Sequence, residues 1–214
     1  MRTLLIGGAR SGKSALALRW SNERSTTVCM LVTGTESDPE MAARIAAHRR
    51  ERPAHWRVRE EPVHLGRALR EEGVALKHGP STGLRDRAPR PDSPADAARA
   101  PLLLVDCLTL WIANCLWPPA QVIGGNDYAT WHRERDDFLD ALGACASDVI
   151  VVTNEVGTGI VPDNAASRVF RDEQGWLNQA VAAICDEVFF VTAGLPMCLK
   201  PSQPPPGRTT TQPR

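Results

Sequence analysis

The chain has 214 residues, 43% of them hydrophobic and 23% charged, enough to bury one substantial core and ordinary for a globular protein. Lys and Arg number 25, as do Asp and Glu, so no global basic field recruits nucleic acid and anion binding falls to local sites. The six cysteines form no C-x-x-C pair and no zinc-ligand spacing, no charged-then-apolar leader precedes the first apolar run, and no run approaches a membrane span. A cytoplasmic protein without a membrane span is expected.

Thr3-Leu4-Leu5-Ile6 predicts a buried strand, and Gly7-Gly8-Ala9-Arg10-Ser11-Gly12-Lys13-Ser14 follows it at once. That is G-x-x-x-x-G-K-S, the pattern of a phosphate-cradling P-loop. Its glycines let successive N–H groups curl toward one anion, Lys13 supplies charge for the β- and γ-phosphates, and Ser14 offers a hydroxyl to Mg²⁺. Ala15 to Trp20 predicts a helix whose N-terminus favours the phosphates. These residues predict that the chain binds a nucleoside triphosphate.

Val28 to Thr33 predicts a second buried strand, and a helix follows from Asp38 as N-cap to a stop at Pro53. Met41, Ile45 and His48 fall on one face of that helix, with Arg44 and Arg52 four residues either side of His48. Cationic neighbours favour the neutral imidazole, the state that can attack an α-phosphorus while arginines hold the phosphates. A basic surface helix with an incidental histidine is the plain alternative. Residues 78 to 100, His78 to Ala100, are rich in Pro, Arg, Asp, Ser and Ala and predict a flexible insertion.

Leu102 to Asp106, Val149 to Thr153 and Val188 to Val191 complete the apolar runs. Continuous apolar strands spaced by helices predict a doubly wound α/β fold with a mostly parallel sheet covered on both faces, and ligands beyond its C-terminal strand ends. Asp106 stands at such an end, as a Walker B acid holding Mg²⁺ or as the N-cap of the next helix. The loop from Asn154 to Asn164 lies at the same edge; Glu155 and Asp163 could meet substrate amides, a neighbouring subunit or a helix terminus. Tyr128 and the six tryptophans could line a pocket or fill the core. Residues 1–200 are expected as one domain, with 201–214 a disordered tail.

Four blocks in order resemble the bifunctional cobinamide kinase/cobinamide-phosphate guanylyltransferases of cobalamin biosynthesis. They are the P-loop with its Gly-Gly-Ala-Arg opening, Arg44-Ile45 to His48-Arg49 with Arg52-Pro53-Ala54-His55-Trp56, Asp106-Cys107-Leu108-Thr109-Leu110-Trp111, and Thr153 to Asn164 with Phe170-Arg171-Asp172 and Gly175 to Gln179. The resemblance spans roughly residues 2 to 192 and implies a RecA-like P-loop domain. It implies that ATP or GTP phosphorylates adenosylcobinamide, and that GTP then guanylylates a histidine, matched here by His48. GMP passes on to give adenosyl-GDP-cobinamide and pyrophosphate is released. The nucleotide residues implied are Gly8, Ala9, Arg10, Ser11, Gly12, Lys13, Ser14 and Ala15, then Thr33, Gly34 and Thr35. Arg49, Arg50, Glu51 and Arg52 follow, with Glu60 and Asp106; Glu60 is matched only by its distance from Trp56. Mg²⁺ would sit with Ser14 and Asp106. A homo-oligomer, with a trimer as the candidate assembly, is also implied.

Two rivals make different demands. A monofunctional P-loop kinase leaves His48 without a task. A GTPase switch needs Asn-Lys-x-Asp, which is absent; Asp172-Glu173-Gln174-Gly175 matches Asp-x-x-Gly but follows no buried strand.

Overall fold

A computed structural model describes residues 1–35, 39–78, 100–117 and 128–202. The strands are β1 (Arg2–Gly7), β2 (Val28–Val32), β3 (Arg57–Glu60), β4 (Leu102–Asp106), β5 (Asp148–Asn154), β6 (Glu187–Thr192) and β7 (Leu195–Lys200). The helices are α1 (Lys13–Arg24), α2 (Pro39–Glu51), α3 (Leu65–His78), α4 (Leu108–Leu116), α5 (Tyr128–Ala144) and α6 (Ala165–Ile184). The expected cap Asp38, all but the two ends of the expected insertion, and the tail beyond residue 202 lie outside the described residues.

All seven strands form one sheet in the order β3-β2-β4-β5-β1-β6-β7. The first six in that order pair in parallel and β7 joins β6 antiparallel. Five strands coincide with the apolar runs, because a parallel strand covered on both faces has no solvent side to carry polar residues. Alternation along them splits the core in two. Leu5, Met30, Leu104 and Val152 turn to the face where α1 contributes Leu16 and Ala17. Leu4, Leu31, Val105 and Val151 turn to the other, against Leu69 of α3, Trp111 of α4, Phe138 of α5 and Leu177 of α6. Trp111 anchors that second face: fully buried, it donates from Nε1 to the Val63 carbonyl (2.7 Å) and packs its ring 5.3 Å from Trp131. Trp117, Trp176 and Tyr128 are exposed instead.

β5 is inserted between β4 and β1, bringing the ends of three strands together. Asn154 stands in register beside Gly7, and Asp106 beside Val152.

Candidate active site

β1 ends at Gly7 and α1 starts at Lys13, so the P-loop is the strand-to-helix turn. Gly12 caps the helix at φ +93 with no side-chain hydrogen bond, a conformation that suits glycine and leaves the helix N-terminus open to an anion. Arg10 also takes a positive φ, at +56, and is exposed. Lys13 is buried and donates from Nζ to the Gly8 carbonyl (3.1 Å). Burial holds its pKa below the ordinary lysine value, with the charges of Cys107 and Asp106 opposing. The ammonium is therefore underpaired for its depth, which an incoming phosphate would correct.

Across the loop, the Ser14 hydroxyl faces Asp106 Oδ1 at 3.5 Å. Asp106 is not the helix cap: α4 is capped by Cys107, without a side-chain bond. A hydroxyl and a carboxylate converging beside a phosphate cradle fit a hard divalent cation that takes its other oxygens from phosphate and water. Among the described residues, no cluster of three or more His, Cys, Asp and Glu competes for a metal.

Thr33 is fully buried under this corner. Its hydroxyl donates to the Cys107 carbonyl (2.6 Å) and accepts from the Cys107 amide (3.1 Å), while its own carbonyl takes a bond from Asn114 (2.7 Å). The Thr33 side chain thus ties the end of β2 to the end of β4. Gly34 and Thr35 lead out of it, half-buried.

His48 lies in the last turn of α2; its side chain and that of Glu51 are not among those described. Beyond that turn opens a cavity of about 410 Å³, lined by Arg49, Arg52, Pro53, Ala54, Trp56, Val58 and Glu60. Arg49 pairs with Glu60 at 2.7 Å, and Arg50 is exposed. Arg52 Nε and Trp56 Nε1 are buried donors with no hydrogen-bond partner. Burial also draws the Arg52 pKa down, against the pull of the Asp106 and Glu60 charges. Two orphan donors beside one carboxylate suit an anionic ligand that carries both acceptors and donors. The sequence marks Arg52 by its spacing from His48 and Trp56 as the end of the Arg52-Pro53-Ala54-His55-Trp56 block, but it assigns Trp56 no role in binding.

At the other side of the P-loop, the Glu155 amide donates to the Gly7 carbonyl (3.0 Å). The Glu155 carboxylate accepts from the Gly157 amide, Asn164 caps α6 through the Ser167 amide (2.7 Å), and the Asp163 carbonyl accepts from Arg168. The cap of that helix is thus Asn164. Asp172 to Gly175 lies inside α6, not in a loop.

The model of the family "Cobinamide kinase / cobinamide phosphate guanyltransferase" matches residues 3–78 and 91–199. The chain belongs to this family. Membership makes it a transferase, and its relatives share nearly its whole length. The bifunctional adenosylcobalamin biosynthesis protein CobP of Pseudomonas aeruginosa is 43% identical over 94% of this chain and 98% of its own. The CobU proteins of Salmonella typhimurium and Escherichia coli, of the same description, are 36% and 33% identical over 94% of this chain and 100% of theirs. Among solved structures, a type III secretion system ATPase aligns with 92% of this chain and 56% of its own, at TM-score 0.47 and 13% identity. No helix among the described residues is long and apolar enough to cross a membrane.

Proposed function

We propose that this chain phosphorylates the aminopropanol hydroxyl of adenosylcobinamide with ATP or GTP, then moves GMP from GTP to adenosylcobinamide phosphate through His48. The observation that carries this reading is a pair of anion sites: the P-loop, where Lys13 is buried and Ser14 faces Asp106 at 3.5 Å, and the cavity beyond α2, where Arg52 Nε and Trp56 Nε1 are buried donors without partners. In the second reaction a neutral His48 ring nitrogen attacks the α-phosphorus. The N–P bond forms as the bond to the bridging oxygen breaks, and pyrophosphate leaves with the electron pair. A phosphate oxygen of adenosylcobinamide phosphate then displaces the histidine, giving adenosyl-GDP-cobinamide. Lys13 and Arg52 would balance the phosphate charge throughout. Ser14 and Asp106 would hold Mg²⁺, which when bound neutralises phosphate charge. Glu60 would accept from donors on the purine edge within the cavity.

Six free cysteines, three of them buried, agree with a reducing cytoplasm. The exposed apolar side chains of Leu195, Met197 and Leu199 on edge strand β7 support assembly into a homo-oligomer, a trimer being the candidate.

The deciding experiment incubates the protein with α-labelled GTP and Mg²⁺ in the absence of corrinoid. Label that is acid-labile and base-stable on wild type, and absent from His48→Ala, is the expected result. Unlabelled wild type that still makes GDP-cobinamide would exclude the covalent route. Wild type that phosphorylates adenosylcobinamide but makes no GDP-cobinamide, with His48→Ala keeping full kinase activity, would point to the monofunctional kinase.

A further inference from the structure

Asn154 lies outside the residues that the resemblance implies for the nucleotide, yet β5 carries it between the P-loop and Asp106. It stands in register beside Gly7, and neighbouring strands lie about 4.8 Å apart. Side chains alternate along a strand: Leu5, Leu104 and Val152 belong to the α1 face, while Thr153 turns away to bond Asn178 and Gln174. The same alternation puts Asp106 and Asn154 on the α1 face, where Lys13 and Ser14 begin that helix.

The backbone of Asn154 is clamped on both sides. Its amide donates to Thr109 Oγ1 of α4 (2.9 Å), and its carbonyl accepts from Asn178 Nδ2 of α6 (3.0 Å). Its side-chain Oδ1, by contrast, is buried without a hydrogen-bond partner. Such an orphan is costly in a protein interior, and a ligand group that donates to it removes that cost.

We propose that the Asn154 carboxamide contacts the reacting end of the triphosphate, donating from Nδ2 to a γ-phosphoryl oxygen and accepting at Oδ1 from the attacking hydroxyl. The identity of that hydroxyl rests on the function proposed above; the γ-phosphate contact does not. The acceptor oxygen bonds to the γ-phosphorus as the bond to the bridging oxygen breaks, and the nucleoside diphosphate leaves with the electron pair. A carboxamide cannot take the hydroxyl proton, which passes to a phosphoryl oxygen and then to water. Its uncharged amide can touch a phosphate where a carboxylate would be repelled. Attack at the α-phosphorus occurs two phosphates away, so Asn154 serves the phosphorylation and not the guanylylation.

Asn154→Ala and the isosteric Asn154→Asp test this against wild type with three readouts. These are the Kd of a non-hydrolysable ATP analogue against that of ADP, phosphorylation of adenosylcobinamide, and covalent labelling by α-labelled GTP. Preference for triphosphate over diphosphate should fall about 10-fold in Asn154→Ala and further in Asn154→Asp, with ADP affinity held within about threefold. The kcat of phosphorylation should fall about 100-fold while labelling at saturating GTP stays within about threefold. An unchanged triphosphate preference overturns the proposal, and so does a parallel loss of ADP affinity and labelling, which marks a merely structural residue. Wild type that distinguishes the nucleotides but phosphorylates no corrinoid sinks the functional reading, while loss of that discrimination in Asn154→Ala still supports the contact.

Discussion

At the scale of single residues, Lys13 shows how a binding site costs its own protein stability. Burial lowers its pKa from the ordinary 10.5, so the unfolded chain holds that proton more tightly than the folded one. Between the lowered value and 10.5, stability of the free protein therefore rises with pH. Nucleotide binding has the opposite sign, because the phosphates need the ammonium. Titration calorimetry should show affinity for Mg·ATP falling as pH climbs, beginning below the pH at which an exposed lysine would respond. Lys13→Met should raise the Tm of the ligand-free protein and lose the Tm increase that Mg·ATP gives wild type. A Met variant still stabilised normally by nucleotide would remove Lys13 from the site.

Between elements, a close approach is where α3 crosses α5. A methyl at Gly66 would meet the Asp137 carbonyl oxygen at 2.7 Å, and Arg70 clamps the Asp137 carboxylate from the next turn at 2.6 and 2.7 Å. The helices cannot part without breaking that pair, so Gly66→Ala should destabilise by about 1–3 kcal/mol, read from the urea midpoint. This crossing lies on the sheet face opposite α1, and Mg·ATP affinity per folded molecule should stay near wild type. A variant of wild-type stability would show that the crossing yields freely.

The same elements show what can be read from one chain. β1, β2, β4, β5 and β6 are legible because burial on both faces leaves each with a continuous apolar centre. β3, as Arg57-Val58-Arg59-Glu60, carries no such signal, since it sits at the sheet edge and bonds through Arg59 to Glu71 and Glu72. β7 is masked by Pro196 and by solvent along its whole length. In the site, the P-loop is legible because its function is local to eight residues. Neither the pairing of the orphan donors of Arg52 and Trp56 in one cavity nor the place of Asn154 is, because both follow from tertiary packing and strand order, which no short segment encodes.

For the whole molecule, the last strand pair buttresses the first loop. The β6–β7 turn has positive φ at both central residues, +51 at Ala193 and +77 at Gly194, as in the tight turns that match strand twist. Its Gly194 amide donates to the Ser11 carbonyl (2.8 Å), and a methyl on Gly12 would come within 3.0 Å of Gly194 Cα. Gly7 is equally hemmed, its missing methyl 2.3 Å from the Val191 carbonyl oxygen. The phosphate cradle is thus shaped from behind by residues some 180 positions later in the chain. Gly194→Val opposes the required φ at a cost of about 2 kcal/mol, and should weaken Mg·ATP binding about fivefold in the folded molecules. Ala193→Gly has the opposite sign, stabilising by up to about 1 kcal/mol if relief of the positive φ outweighs the added freedom of the unfolded chain, with binding unchanged. If Gly194→Val lowered the urea midpoint yet left Kd untouched, the turn would serve the sheet alone and the P-loop would hold its shape without it.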